Sequence, residues 1–202
     1  VHVNGGGTHT INIENATFTN NSVKGCGAIF LMDQSNAGNA SAINVYGGTF
    51  TDNACLLSST SYGSGSIARL KSPGALHFYG GTFANNTTAA GKNYEGIYLR
   101  DVSQKLGSNV YVHKLSADLN VYLTPYSAKV FMSRIVVDSA LTHTISVYIA
   151  DNRVPAKGMP LVVGTDEYKL SEADLAMVKS ANPKATFYLD TENNAICIAK
   201  AE

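Results

Sequence analysis

Residues Ile11-Asn12-Ile13-Glu14-Asn15-Ala16-Thr17-Phe18-Thr19-Asn20-Asn21 return as Ile43-Asn44-Val45-Tyr46-Gly47-Gly48-Thr49-Phe50-Thr51-Asp52-Asn53. They return again as Leu76-His77-Phe78-Tyr79-Gly80-Gly81-Thr82-Phe83-Ala84-Asn85-Asn86. The copies align without gaps, 32 and 33 residues apart. A fixed period of this length marks a repeat whose apolar face is covered only by the next repeat. Inside each copy every second residue is apolar: Ile11 and Ile13, Ile43 and Val45, Leu76 and Phe78. These side chains line one face of a strand, and the residues between them face out.

A second element recurs between the copies. It reads Gly27-Ala28-Ile29-Phe30-Leu31-Met32-Asp33, then Ile67-Ala68-Arg69-Leu70-Lys71-Ser72, then Gly96-Ile97-Tyr98-Leu99-Arg100-Asp101. Each period therefore holds at least two short strands, and length varies in the connections, as it does when loops project from a regular stack. The period is short for a four-stranded propeller blade, and the Leu-x-x-Leu-x-Leu rhythm of a leucine-rich repeat is missing. The expected fold is all-β: a right-handed parallel β-helix, a solenoid, over residues 1–140, with a small β-rich C-terminal cap containing one short helix over 141–202.

Stacking at about 4.8 Å per level superimposes equivalent positions. Phe18, Phe50 and Phe83 become an internal aromatic file, and Asn21, Asn53 and Asn86 a ladder. At a corner the backbone leaves regular pairing, and a stacked side-chain amide supplies both the missing donor and the missing acceptor. Each such bond adds about 1 kcal/mol net, whereas an unpaired buried group costs roughly 1–3 kcal/mol. Gly47-Gly48 and Gly80-Gly81 mark tight bends; the first copy has Asn15-Ala16 there. Five sequons, at Asn15, Asn20, Asn39, Asn85 and Asn86, read as turn and ladder residues and not as glycan sites.

Composition excludes several functions. Fifteen Lys and Arg balance fifteen Asp and Glu, so no net field draws the chain to nucleic acid or an anionic membrane. No apolar run approaches the roughly 20 residues of a membrane-spanning helix. Val1-His2-Val3-Asn4 lacks the pattern of a signal peptide and reads as the middle of a longer parent protein. Cys26, Cys55 and Cys197 lack CxxC spacing, so zinc ligation and a dense disulfide framework are not indicated. They read as small buried apolar residues, with a Cys26–Cys55 bridge left open.

The Phe-x-x-Asn element, with the Gly27-Ala28-Ile29 strand after it, resembles the repeats of polymorphic outer-membrane autotransporters. It equally resembles the large right-handed β-helix surface proteins of gut bacteria, over about residues 8 to 112. The resemblance implies an exported, cell-surface or extracellular protein, without a cofactor, whose helix is a stalk or adhesive surface meeting host glycan or protein.

After Gly107 the repeat fades. Asn109–Val112, Leu119–Leu123 and Lys129–Val137 read as further strands, then His143–Ile149 and Leu161–Val163. Ser171-Glu172-Ala173-Asp174 opens a helix as a capping box, with Leu175 and Val178 toward a core and Asn182-Pro183 as its stop. A hairpin follows from Ala185–Leu189 into Ala195–Ile198. This order resembles the small cap that ends gut bacterial β-helix surface proteins, and it suits the need to cover a final sheet edge.

Two sets of candidate site residues emerge. For adhesion, Tyr46 and Tyr79 fall in one outward column with Glu14, and Tyr98 lies on the other outward face; exposed rings suit sugars or a protein partner. His77 reads as an isolated surface residue. The alternative is a carbohydrate-active enzyme, because pectate lyases and related hydrolases share the expected fold. Its outward columns would be Phe30, Arg69 and Tyr98, then Met32, Lys71 and Arg100, with Asp33 and Asp101 at strand ends. A lyase needs a cationic base beside Ca²⁺-binding carboxylates, and a hydrolase needs two carboxylates roughly 5–10 Å apart. Asp33, Lys71, Arg100 and Asp101 are the residues such a site would use.

Overall fold

The computed structural model describes residues 1–4, 7–24, 29–33, 41–56, 65–71, 73–88, 96–101, 103, 106–127, 129–149 and 154–200. The chain is nearly all β and advances in circuits. The first circuit is β1 (His2–Asn4), β2 (Thr10–Ile13), β3 (Ala16–Thr19) and β4 (Ser22–Val23). The second is β5 (Phe30–Asp33), β6 (Ala42–Val45), β7 (Gly48–Thr51) and β8 (Ala54–Cys55), and the third is β9 (Ala68–Leu70), β10 (Ala75–Phe78), β11 (Thr82–Ala84) and β12 (Thr87–Thr88). Three two-strand circuits follow: β13 (Ile97–Arg100) with β14 (Asn109–Val112), β15 (Leu119–Thr124) with β16 (Arg134–Val137), and β17 (Ile145–Ile149) with β18 (Pro160–Gly164). The chain ends with α1 (Glu172–Met177), β19 (Val178–Ser180), β20 (Ala185–Asp190) and β21 (Ala195–Lys200).

Equivalent strands of successive circuits pair in parallel. One sheet runs β1-β5-β9-β13-β15-β17-β19, and a second runs β2-β6-β10-β14-β16-β18 before receiving the antiparallel hairpin β21-β20. Two smaller sheets, β3-β7-β11 and β4-β8-β12, stop after the third circuit. The parallel pairing continues through residue 141 without a break, because β17, β18 and β19 extend the same two long sheets. Among the named strands, the β20–β21 hairpin turns antiparallel and covers β18.

The core lies where alternation sends the apolar residues. Ile11, Ile43, Leu76, Val110 and Ile135 occupy one register row, and Ile13, Val45, Phe78, Val112 and Val137 another. All but Ile11 of these are buried. Phe18 stacks on Phe50 at 5.3 Å between centroids, and Phe50 on Phe83 at 4.7 Å. Burying one such ring is worth roughly 2–3 kcal/mol. The Asn column is bonded end to end. Asn21 Nδ2 donates to Asn53 Oδ1 at 2.8 Å, and Asn53 Nδ2 donates to Asn86 Oδ1 at 2.9 Å. Asn53 is fully buried.

One position of the repeat carries a role that its sequence did not announce. Asn20, Asp52 and Asn85, each just before a ladder Asn, have positive φ of 56°, 58° and 55°. Asn and Asp enter the left-handed region more readily than other residues with a Cβ, which explains why this site alternates between those two types. At the preceding bend Gly48 has φ +118°, and a Cβ there would lie 2.3 Å from the Ala16 carbonyl oxygen. In the first circuit the bend is taken instead by Asn15, at φ 51°.

Three expectations need correction. Phe30 and Met32 do not face out: they pair with Ala68 and Leu70 and are wholly buried, so the outward residue of β5 is Leu31, level with Arg69. The repeats differ by one residue in that stretch, and a one-residue slip exchanges the two faces of a strand. Val178 belongs to β19 and not to the helix, which ends at Met177, so Asn182-Pro183 follows a strand. Between Lys129 and Val137 only Arg134–Val137 is a strand. Cys55 and Cys197 are buried, whereas Cys26, and with it the question of a Cys26–Cys55 bridge, lies outside the described residues, as does Asn39.

Candidate functional site

The outer face of the second long sheet gathers most of the exposed aromatic chemistry. Asn12, Asn44, His77 and Tyr111 share one outward row. One residue past the strand ends, the backbone bonds from Tyr46 to Ile13, Tyr79 to Val45 and His113 to Phe78 continue the register into a second row. Tyr46 and Tyr79 stack at 4.8 Å, Tyr79 and His113 at 4.0 Å, and His77 and Tyr111 at 4.2 Å, with rings within 13° of parallel. The spacing of strands in a sheet, about 4.8 Å, is close to that of stacked rings. The ring faces therefore meet one another along the row, and the Tyr46 and Tyr79 rings remain exposed to solvent. Tyr46 stays 47% exposed and Tyr79 38%.

His77 is not isolated. His77 Nδ1 lies 3.1 Å from His113 Nε2, and His113 Nδ1 lies 2.5 Å from Asp138 Oδ2. Asp138 accepts from His113 Nδ1–H, and the His77 Nδ1–His113 Nε2 contact links the two rings, its donor set by their tautomers. Burial, with His113 alongside, holds the His77 imidazole below its ordinary pKa. Burial raises the Tyr79 hydroxyl, helped by Tyr46 and Asp138. The row thus presents an ordered edge of donors and acceptors. His113 and Asp138 lie beyond the recognisable repeat, 36 residues after His77 in the first case and 25 further on in the second. The signal for His113 was the alternation Asn109-Val110-Tyr111-Val112-His113, which continues the outward row of β10.

No family model, curated protein or solved structure matches the chain. Its chemistry is therefore read from geometry alone.

Tyr98 takes the outward position of β13 but is only 4% exposed; it stacks on Tyr122 at 5.3 Å, and Tyr122 stacks on Tyr148 at 5.0 Å. Tyr98 and Tyr122 are thus buried in this column, and Tyr148 at its end is partly exposed. The set Asp33, Lys71, Arg100 and Asp101 divides. Leu31 pairs with Arg69 and Arg69 with Tyr98, so two residues on, Lys71 and Arg100 fall in one outward row that continues to Thr124. The Asp33 side chain lies outside the described residues; its backbone pairs with Asn4.

Asp101 is turned inward. It is 4% exposed and accepts from the amides of Tyr126, Met132 and Ser133 and from the Ser133 hydroxyl, at 2.6 to 3.1 Å. A carboxylate holding four donors fixes a corner, and none of these contacts leaves it turned to a substrate. Among the described residues no group of three or more His, Cys, Asp or Glu is placed to hold a metal ion, and no helix is long and apolar enough to cross a membrane.

Proposed function

We propose that this chain is a stretch of right-handed parallel β-helix that serves as a structural and adhesive stalk segment of an exported bacterial surface protein, docking host glycan or protein along the Tyr46–Tyr79 row. The observation carrying this reading is that side chains repeat in bonded columns on both faces of the sheets. Phe and Asn columns run inside, and Tyr and His columns run outside. Such columns spread cohesion evenly along the stack. The exposed phenol edges of Tyr46 and Tyr79 suit hydrogen bonding to a partner while their flat bodies supply apolar contact. Arrays of glycans and of extracellular-matrix proteins, probed with the chain and with a Tyr46→Ala/Tyr79→Ala double variant, test the docking. At least a tenfold loss of the strongest signal is expected, and retained binding by a folded double variant sinks it.

One observation favours a second reading. Lys71 and Arg100 occupy adjacent levels of one outward row, about 4.8 Å apart along the sheet, an arrangement able to hold an acidic polysaccharide and to include a basic group. Turnover of polygalacturonate or alginate by the chain, abolished by Lys71→Ala, would replace the stalk by a lyase.

A further inference from the structure

The two small sheets end at the third level while the long sheets continue, and this leaves a step in the molecule. Bonds between levels follow a strict rule in this region. The amide of Asn20 donates to the Thr51 carbonyl, and that of Asp52 donates to the Ala84 carbonyl. The amide of Asn21 donates to Asn53 Oδ1, and that of Asn53 donates to Asn86 Oδ1. Asn53 Nδ2 reaches the Phe18 carbonyl and Asn86 Nδ2 the Phe50 carbonyl. The carbonyls of Asn21 and Asn53 accept from Ala54 and Thr87. At the third level the same four groups are the amides of Asn85 and Asn86 and the carbonyls of Phe83 and Asn86. No described residue fills them.

We propose that this step is a strand-addition site that takes an extended polypeptide segment, parallel to β11 and β12, with an asparagine at the ladder position. The incoming Asn supplies Oδ1 to the Asn86 amide and Nδ2 to the Phe83 carbonyl, while the carbonyl two residues before it accepts from the Asn85 amide and the amide after it donates to the Asn86 carbonyl. This is the bonding the chain makes twice within itself, so the occupant's chemistry is read from the repeat.

Space for it exists. An open cleft of about 260 Å³ is lined by Ser66, Asn85, Asn86, Thr87, Asp118 and Asn120. The phenylalanine half of the next level is already filled by the chain: Leu115 packs near Phe83, leaving about 10 Å³ between them, and Ser116 Oγ donates to the Gly81 carbonyl. Among the described residues the asparagine half stands open. A second folded copy does not fit, because β13 and β14 already occupy that level of the long sheets. The occupant is therefore a flexible segment. The site shares no residue with the Tyr46–Tyr79 row, so it stands or falls separately from the stalk's docking face.

The test is amide NMR of the full chain, titrated with a synthetic peptide of residues 82–88 and with the same peptide carrying Asn86→Leu. The expected result is that the native peptide shifts the Asn85 and Asn86 amide signals and slows their hydrogen exchange at least tenfold, and that the Leu peptide binds at least tenfold more weakly. The proposal is overturned if neither amide responds, or if both peptides bind equally. It is also overturned if a neutral oligosaccharide such as cellohexaose moves these amides and the peptide does not, which would make the cleft a sugar site.

Discussion

Asn53 shows how much one side chain holds in this fold. Its Oδ1 accepts from the amide and the Nδ2 of Asn21, and its Nδ2 lies within bonding distance of the Phe18 and Thr51 carbonyls and of Asn86 Oδ1. All of this is shielded from water. Removing the amide leaves several buried partners unsatisfied, each at roughly 1–3 kcal/mol, partly relieved by relaxation or entering water. Asn53→Ala is expected to cost about 3 kcal/mol. Asn21→Ala, at the exposed end of the ladder, removes one side-chain bond and costs about 1 kcal/mol. Urea midpoints of the two variants check this, and equal losses would show that the ladder is not cooperative. The ladder itself was legible, since Phe-x-x-Asn recurs at fixed spacing. The left-handed residue before it was not, because Asn and Asp are also ordinary turn residues and nothing in a sequence separates the two uses. Similarly, the faces of β5 were misread because no marker in Gly27 to Asp33 fixes a one-residue register.

At the scale of elements, the helix start was legible and its end was not. Ser171 and Asp174 form a reciprocal capping box, as the Ser-x-x-Asp spacing requires. The helix then stops after one and a half turns, because Val178 is claimed by pairing with Ile145 in the long sheet; tertiary pairing overrides local continuation. Asp174 also ties the helix to the stack. Its carboxylate accepts from the Leu141 amide at 3.0 Å, the Ser171 amide at 2.9 Å and the Tyr168 hydroxyl at 2.8 Å. Burial works against the charge, yet these donors hold the carboxyl below its usual range, and the same burial and contact push the Tyr168 hydroxyl up to about 12. A carboxyl depressed in the folded state adds stability that is fully present above its unfolded pKa of about 3.9 and is lost as pH falls through the lower folded value. Thermal stability is therefore expected to fall as the pH drops below about 4. Asp174→Asn should cost about 2 kcal/mol at pH 7 and flatten that slope. An unchanged slope in the variant would place the acid sensitivity elsewhere.

For the whole molecule, the decisive event is the loss of two strands per circuit. Equivalent positions lie 32 and 33 residues apart while four strands are threaded, but Asn109 pairs with Arg134 only 25 residues on. The Phe-x-x-Asn motif belongs to the strands that disappear, so the readable repeat ends although parallel stacking goes on; what remains is plain alternation, which fixes a strand but not its partner. The narrowed stack must still end. Sheet two closes by turning β21 antiparallel onto β18, covering Leu161 and Val162 with Ile196 and Ile198. Truncation after Pro183 removes that hairpin and leaves the β18 edge unpaired beside an exposed apolar surface. Open edges of this kind pair with other chains. The truncated chain is expected to sediment as concentration-dependent oligomers, while Asn53→Ala, which leaves the hairpin intact, stays at the size of the full chain. A monomeric truncation with the full chain's urea midpoint would mean that the parallel stack needs no closing hairpin, and that β20 and β21 serve another purpose.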